Sequence, residues 1–351
     1  MDVTDAPVKA APRSRAKLAV NITLGLLFSA AFVWLVLKDV DWDRVSVEYT
    51  SMRWSYLIYY MLILGGAQAM RLWRWGLTIR TLAPVPWPRI LAVGSVGNAA
   101  IFVLPARLGE LVRPLLIVDG QDLNFGQSTA TVVVERLIDG LTMSGILFAT
   151  VLMLDPGVVP QKFIYSGYAA AAVFGGASAG LFLAALFFKY VRKPLEKLLG
   201  LFSQALAQKI IAVIEGFFGA LQLLGNAKLV VSYMALTLGI WGASAVGMWV
   251  LFGAFPGSTA GLPLIVAFAT LSVLVVGIMI PSGPATVGIF HWAVVFALGM
   301  FAVDESAGLL FATVLHLLIS VINLAYGLVG WVAGGIDLTS ALRRNPEPEE
   351  G

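Results

Sequence analysis

Long apolar stretches, separated by short polar segments, run through most of the chain. Stretches without any Asp, Glu, Lys or Arg cover 18–37, 54–70, 90–106, 140–154, 163–188, 229–303 and 306–336. A transmembrane helix needs about 20 predominantly apolar residues, so these stretches predict membrane-crossing helices. The stretch 229–303 is too long for one helix and predicts several segments, with breaks at 255–257 and 281–284.

Composition agrees with an integral membrane protein. Hydrophobic residues make up 59% of the chain and charged residues 12%, and the mean hydropathy is +0.88. A soluble domain cannot bury this much apolar surface, because about a quarter of the unfolded chain's surface stays exposed after folding. The composition excludes a soluble enzyme, a disordered chain and a nucleic-acid-binding protein. The absence of cysteine excludes disulfides and thiolate sites.

Lys and Arg predict the orientation, because short cytoplasmic segments carry an excess of both. They cluster near the N-terminus, in 71–89, in 189–197 and near the C-terminus. We therefore expect an all-α bundle of about six full spans in one domain, 17–337. Both tails, 1–16 and 338–351, then lie in the cytoplasm. The spans are expected near 18–37, 54–70, 128–154, 163–188, 229–252 and 306–336.

Two ambiguous segments have alternative interpretations. The first apolar stretch, 18–37, has the flanks of a signal peptide, but its length favours an uncleaved span. Residues 191–226 have apolar positions at helical spacing with Lys, Glu and Gln between them. This pattern predicts an amphipathic helix that either lies along the cytoplasmic interface or packs on the inner face of the bundle.

Two segments do not fit a simple count of crossings. For the flanking spans to have the expected orientation, 90–118 must enter and leave on the inside, and 263–302 must do so on the outside. The sequence therefore predicts two re-entrant helical hairpins of opposite orientation, an arrangement typical of inverted repeats around a transport site. The alternative is a kink in each of two ordinary spans. The predicted turns contain Pro105, Gly109, Pro281, Gly283, Pro284 and Gly288.

Charged residues next to apolar runs form the candidate site: Arg107, Glu110, Arg113, Glu135, Arg136 and Asp139. Each costs about 2.5–3.5 kcal/mol at the centre of a bilayer, so we expect them to pair or to line a hydrated space. Glu110 and Arg113 are three residues apart, which predicts one helix face. The set balances to zero charge. It is either a salt-bridge cluster that locks the hairpin to a helix, or a site for an anionic headgroup or a proton relay.

Histidines and sequence motifs give no sign of a catalytic centre. The only histidines are His291 and His316, and His291 lies shortly after the second predicted turn. Two histidines do not by themselves make a metal site, and no nucleotide-binding or hydrolase motif occurs. We expect no metal, no cofactor and no enzymatic activity.

Three motifs resemble those of the flippase-like family, which comprises the transmembrane domain of lysylphosphatidylglycerol synthase/flippase proteins and their stand-alone relatives. They are N-A-A-I-F-V-L-P-A-R-L-G-E-L-V-R at Asn98–Arg113, S-T-A-T-V-V-V-E-R-L-I-D at Ser128–Asp139 and P-A-T-V-G-I-F-H at Pro284–His291. In the third motif Ala285 stands at the usual Gly and His291 where an acidic residue is common. The resemblance covers about 15–335. It implies a bundle with re-entrant helices that moves polar lipids between leaflets, and it adds Asn98 to the candidate site.

Three functions remain open at this point. The first is a lipid transporter in which Arg107, Arg113 and Arg136 hold a phosphate-bearing headgroup, while the carboxylates position them and one carries a proton. The second is an intramembrane enzyme that modifies a lipid. The third is a non-catalytic partner that holds lipid for a glycosyltransferase or lipid synthase. The expected partners are a membrane lipid and a biosynthetic enzyme, and the sequence does not indicate an oligomeric state.

Overall fold

The computed structural model describes residues 40–153, 227–278 and 284–336, together with the short run 30–35 and single positions within 27–38 and 161–198; at 105–107 and 284 it describes the backbone alone. The described residues form α-helices and two 3-10 helices, without a strand, which confirms the all-α fold. The 3-10 helices are Pro105–Leu111 and Pro284–Thr286. The α-helices are α1 (Trp42–Thr50), α2 (Ser55–Leu82), α3 (Trp87–Val103), α4 (Val112–Ile117), α5 (Phe125–Met153), α6 (Ala227–Phe252), α7 (Leu264–Gly277), α8 (Ile289–Gly299) and α9 (Glu305–Gly334).

Among the described residues, α5, α6 and α9 are long and apolar enough to cross a membrane. They form the bundle with α2, which packs along α6, and with α3, which packs along α9. The predicted spans 18–37 and 163–188, the amphipathic segment 191–226 and both tails lie outside the described residues, apart from single positions. The number of spans therefore stays a prediction.

The second span is longer than the sequence predicts. Helix α2 continues without a break to Leu82, so Arg71 and Arg74 lie within the helix and not after it, while the cytoplasmic position of this end of the span stays a prediction. The helix ends just before Pro84, which disfavours helical conformation in the preceding residue. The error came from ending the span at its first arginine, although a membrane helix can carry a cation where a buried anion faces it.

The first predicted hairpin is present as two helical arms joined by a 3-10 helix. Helix α3 ends immediately before Leu104 and Pro105, as the sequence predicts. The arms pack closely: a Cβ on Gly97 would overlap the side chain of Arg113, and one on Gly109 would overlap the backbone of Ala100. At the open end, Arg89 Nη2 donates to the carbonyls of Leu116 and Asp119 at 2.9 and 3.0 Å. The start of α3 and the end of α4 therefore lie at the same end of the bundle. That this segment enters a membrane and leaves it on the same side stays a prediction.

The second hairpin consists of α7 and α8, which pack against each other where Gly277 faces Ala293. Of its predicted turn, Pro281 and Gly283 lie outside the described residues, and Pro284 begins the short 3-10 helix. The turn then passes through positive φ values at Ala285 (53°), Thr286 (56°) and Gly288 (91°). These left-handed residues reverse the chain and start α8, so the break that the sequence predicts is present on this side as well.

Candidate functional site

The carboxylates of α5 are at the centre of the candidate site. Glu135 and Asp139 are one helical turn apart, as predicted, and are 6% and 5% exposed. Asp139 lies midway along α5, with residues 125–138 before it and 140–153 after it. Two adjacent buried carboxylates repel each other unless cations neutralise them, so their partners determine what the site can do.

Arg74 of α2 is the main partner of Asp139. Its Nη1 donates to Asp139 Oδ1 at 2.6 Å and its Nη2 to Asp139 Oδ2 at 2.9 Å, a two-pronged ion pair. Its side chain is 0% exposed. Sequence reasoning missed this residue. The signal was the continuation of apolar positions such as Trp75 and Ile79 past the arginine, which extends the buried face of α2.

Glu135 joins the first hairpin to the bundle. Its Oε1 accepts from Arg74 Nη2 at 2.9 Å, and its Oε2 accepts from Arg113 Nη2 at 3.0 Å. Arg113 is on α4 and is 3% exposed, so the inner arm of the hairpin is held to α5 and, through Glu135, to α2. This part of the cluster has the geometry of the predicted salt-bridge lock.

Helix α6 completes the cluster with uncharged groups. Thr237 Oγ1 accepts from Arg74 Nη1 at 2.9 Å, and the indole nitrogen of Trp241 donates to Asp139 Oδ1 at 3.0 Å. The guanidinium groups also lie over aromatic rings: Arg74 over Tyr233 at 5.1 Å and Arg113 over Trp75 at 5.3 Å from the ring centroid. These contacts add to the ion pairs that offset the buried charges.

Glu110 and Arg136 form a more accessible pair at the edge of the cluster. Their closest atoms are 3.4 Å apart, and the side chain of Arg136 is 44% exposed against 21% for Glu110. Glu110 lies at the end of the 3-10 helix and Arg113 at the start of α4. They contact adjacent residues of α5, Arg136 and Glu135. Arg136 points away from the buried carboxylates, as its position on α5 predicts.

The two remaining predicted residues lie on the hairpin. Arg107 belongs to the first turn of the 3-10 helix, where the structure describes the backbone alone. Asn98 is on α3, one residue after the glycine that contacts Arg113, and is 9% exposed. No hydrogen bond to its side chain forms among the described residues, so its amide is available to a ligand.

The predicted zero charge of the cluster is wrong, because α2 adds two cations to it. Arg71, one turn before Arg74, lies within electrostatic range of Glu135, Arg136 and Asp139. Among the side chains that the structure describes, the four arginines Arg71, Arg74, Arg113 and Arg136 outnumber the three carboxylates Glu110, Glu135 and Asp139, and Arg107 of the predicted set is not included in this count. An excess cation inside a membrane bundle favours an anionic ligand.

The histidines meet at the second hairpin. The rings of His291 and His316 are 5.1 Å apart, and His316 Nε2 is 2.8 Å from the carbonyl oxygen of Ala285 in the turn. With its Nε2 protonated, His316 donates to that carbonyl and fixes the left-handed turn. Within the described ranges, no group of three or more His, Asp or Glu residues has the arrangement of a metal site.

Comparison with known proteins gives a family and one distant relative. The family described as "Lysylphosphatidylglycerol synthase TM region" matches residues 22–327. The chain is 25% identical over 279 residues to a protein of Haloferax volcanii described as glycosyltransferase AglD. The alignment covers 73% of this chain but 44% of that relative, so the chain spans less than half of its length. No solved structure matches the chain.

Proposed function

The chain belongs to the family of the lysylphosphatidylglycerol synthase transmembrane region, and we propose that it moves a lipid with a phosphate-bearing headgroup between the leaflets of a bacterial inner membrane. The acyl chains stay in the bilayer while the headgroup passes through the charged cluster. The protein itself makes and breaks no covalent bond. Both termini lie in the cytoplasm, as the distribution of Lys and Arg predicts.

One observation carries this proposal: an arginine-rich cluster with an excess positive charge lies halfway along membrane-length helices. Asp139 is midway along α5, and Trp241 is close to the middle of α6. The planar guanidinium group suits phosphate because it binds two oxygens at once. A structural lock alone needs as many anions as cations, whereas a headgroup site needs the additional cation that this cluster has.

The arrangement divides the proposed tasks between a fixed core and an accessible edge. The core pairs of Arg74 and Arg113 with Glu135 and Asp139 are buried and hold the hairpin in place. At the edge, the looser pair of Glu110 and Arg136 opens to exchange partners with a phosphate. Arg107 at the hairpin tip and the free amide of Asn98 add donors to the same hairpin. One carboxylate of the edge or core carries a proton during passage.

The second candidate function is a lipid-holding partner of a biosynthetic enzyme, without transport. The similarity to a glycosyltransferase that is more than twice as long as the aligned region favours it. In that case the cluster retains a lipid for a separate catalytic domain or protein. The same phosphate-binding residues serve both functions, so binding data alone do not separate them.

Leaflet exchange in liposomes containing only the purified protein tests the proposal. A fluorescent phosphatidylglycerol analogue is quenched from the outside, and the loss of the protected inner fraction measures exchange. Transport predicts faster loss than in protein-free liposomes. Exchange at the protein-free rate, with lipid still retained by the protein, would support the lipid-holding partner instead. A chemically altered lipid in the same vesicles would indicate an enzyme.

A further inference from the structure

We propose that Arg71, which lies over Trp241, takes part in binding the phosphate of the lipid, and that this lipid carries a net negative charge. The inference rests on the proposed function and names the substrate class of the same cluster. Sequence reasoning used Arg71 only as a marker of orientation. Its environment in the folded bundle differs from that of every other described arginine of the cluster.

Arg71 faces the interior of the bundle. It shares its face of α2 with Tyr60, Ala67, Trp75 and Thr78, which are 3%, 0%, 1% and 7% exposed. The exposed residues of this helix, among them Leu62 at 70% and Trp73 at 50%, lie on the opposite face. Arg71 nevertheless keeps intermediate exposure. Part of Arg71 therefore stays accessible although the residue lies on the packed face of α2.

Arg71 has no anionic partner in the described parts of the chain. Arg74, Arg113 and Arg136 each have a carboxylate oxygen within 2.6, 3.0 and 3.4 Å. Arg71 forms neither an ion pair nor a hydrogen bond among the described residues. The guanidinium carbon lies over the face of Trp241, 4.7 Å from the ring centroid. Among the described residues, none of its five N–H donors has an acceptor.

The indole of Trp241 aligns Arg71 with the rest of the cluster. Its N–H is bound to Asp139 Oδ1 at 3.0 Å, which fixes the orientation of the ring over which the guanidinium lies. Tyr60 lies on the same face of α2, within electrostatic range of Arg71. Its hydroxyl makes no hydrogen bond with a described residue. Within the described part of the chain, this face of α2 thus carries a cation and a hydroxyl that form no hydrogen bond.

The chemistry of these groups selects the ligand. A guanidinium group and a phenolic hydroxyl both donate to phosphate oxygens, and an arginine in this position needs an anion to offset its charge. With Arg71 and Arg74 the cluster has more arginines than carboxylates, so a lipid with a net negative charge reduces the excess. A zwitterionic lipid brings its own ammonium group and leaves the excess in place. The expected preference is for an anionic phosphodiester over a zwitterionic one.

Lipid retention tests the inference without requiring transport. The purified protein is equilibrated with equal amounts of phosphatidylglycerol and phosphatidylcholine in nanodiscs, extracted into detergent, and the retained lipids are quantified by mass spectrometry. Wild type is expected to retain mainly phosphatidylglycerol. Arg71→Gln is expected to lower this retention about tenfold, the effect of losing one charge-assisted hydrogen bond, and Arg71→Lys to lower it less. Arg80→Gln is the matched control, because Arg80 lies over Trp87 on the exposed face of the same helix.

Undiminished retention of phosphatidylglycerol by folded Arg71→Gln, or an equal loss of retention in Arg80→Gln, would overturn the inference.

If Arg71→Gln does not fold, wild type is treated with phenylglyoxal, which modifies accessible arginines, and the modification of Arg71 is followed by peptide mapping. Phosphatidylglycerol vesicles should protect Arg71 about tenfold relative to phosphatidylcholine vesicles. Equal protection in the two vesicles would refute an anionic lipid, and equal protection by inorganic phosphate would refute a lipid as the ligand. Retention without exchange would refute transport and leave this inference standing.

Discussion

Arg74 holds both carboxylate oxygens of Asp139, at 2.6 and 2.9 Å, and neither side chain is more than 7% exposed. This pair joins α2 to α5 in the middle of the bundle. Because Arg74 also binds Glu135, its guanidinium is the point at which both carboxylates of α5 are neutralised. The stability of the cluster therefore depends on Arg74, a residue that the sequence pattern places after the apolar stretch 54–70 and not within a helix.

Breaking this pair is expected to destabilise the protein strongly. Arg74→Gln and Asp139→Asn each leave a buried charge without its partner, which costs about 3–5 kcal/mol. The double variant removes both charges and is expected to lose much less than the sum of the two single losses. Thermal unfolding in detergent measures all three variants. Arg136→Gln is the control at an exposed pair and should change stability by less than about 1 kcal/mol. Additive losses in the double variant would show that the two residues are not coupled.

The close contact between the arms of the first hairpin predicts a second effect on stability. A Cβ at Gly109 would overlap the backbone of Ala100 and Ile101, and backbone atoms cannot rotate away. Gly109→Ala is expected to cost about 1–3 kcal/mol through overpacking. Gly66→Ala is the matched control, because nothing lies within 4 Å of a Cβ at that helical position. A Gly109→Ala variant as stable as the Gly66→Ala variant would contradict the packed hairpin.

The turn of the second hairpin has backbone strain that one substitution should relieve. Ala285 has a φ of 53°, a left-handed conformation that costs a residue with a Cβ about 1–2 kcal/mol. Ala285→Gly should therefore raise the free energy of unfolding by about 1 kcal/mol. His316→Leu should lower it, because the carbonyl of Ala285 then loses its hydrogen bond at 2.8 Å. Thermal unfolding measures both variants, and a less stable Ala285→Gly protein would argue against this turn.

Orientation is open to a direct test because the chain has no cysteine, so a single introduced cysteine is labelled without background. Asp122 and Gly261 are both exposed and lie in loops. Asp122→Cys should react with a membrane-impermeant maleimide only from the cytoplasmic side, and Gly261→Cys only from the outside. Labelling of Asp122→Cys from the outside would make 90–118 a full crossing and remove the first re-entrant hairpin.

Sequence patterns predicted the features that depend on local chemistry. The breaks at Pro105 and near Pro284 follow from residues that end helices, and the paired carboxylates of α5 follow from a spacing of four residues. The roles of Arg71 and Arg74 did not follow from the sequence. A charged residue within an apolar helix is easily taken for the end of that helix, unless the buried residue that pairs with the charge is known. That partner, Asp139, is 65 residues away from Arg74, and only the folded bundle brings the two together.

The hairpin tip gives the most direct test of the central claim that the charged cluster passes a phosphate-bearing headgroup across the membrane. The measurement is leaflet exchange of a fluorescent phosphatidylglycerol analogue in liposomes containing wild type, Arg107→Gln, Arg107→Lys or the exposed-face control Arg80→Gln. Wild type and Arg80→Gln should exchange the lipid faster than protein-free liposomes do. Arg107→Lys should be slower, since lysine lacks the two-pronged geometry, and monodisperse Arg107→Gln should be slowest. Full exchange by Arg107→Gln, or exchange by wild type at the protein-free rate, would contradict the account.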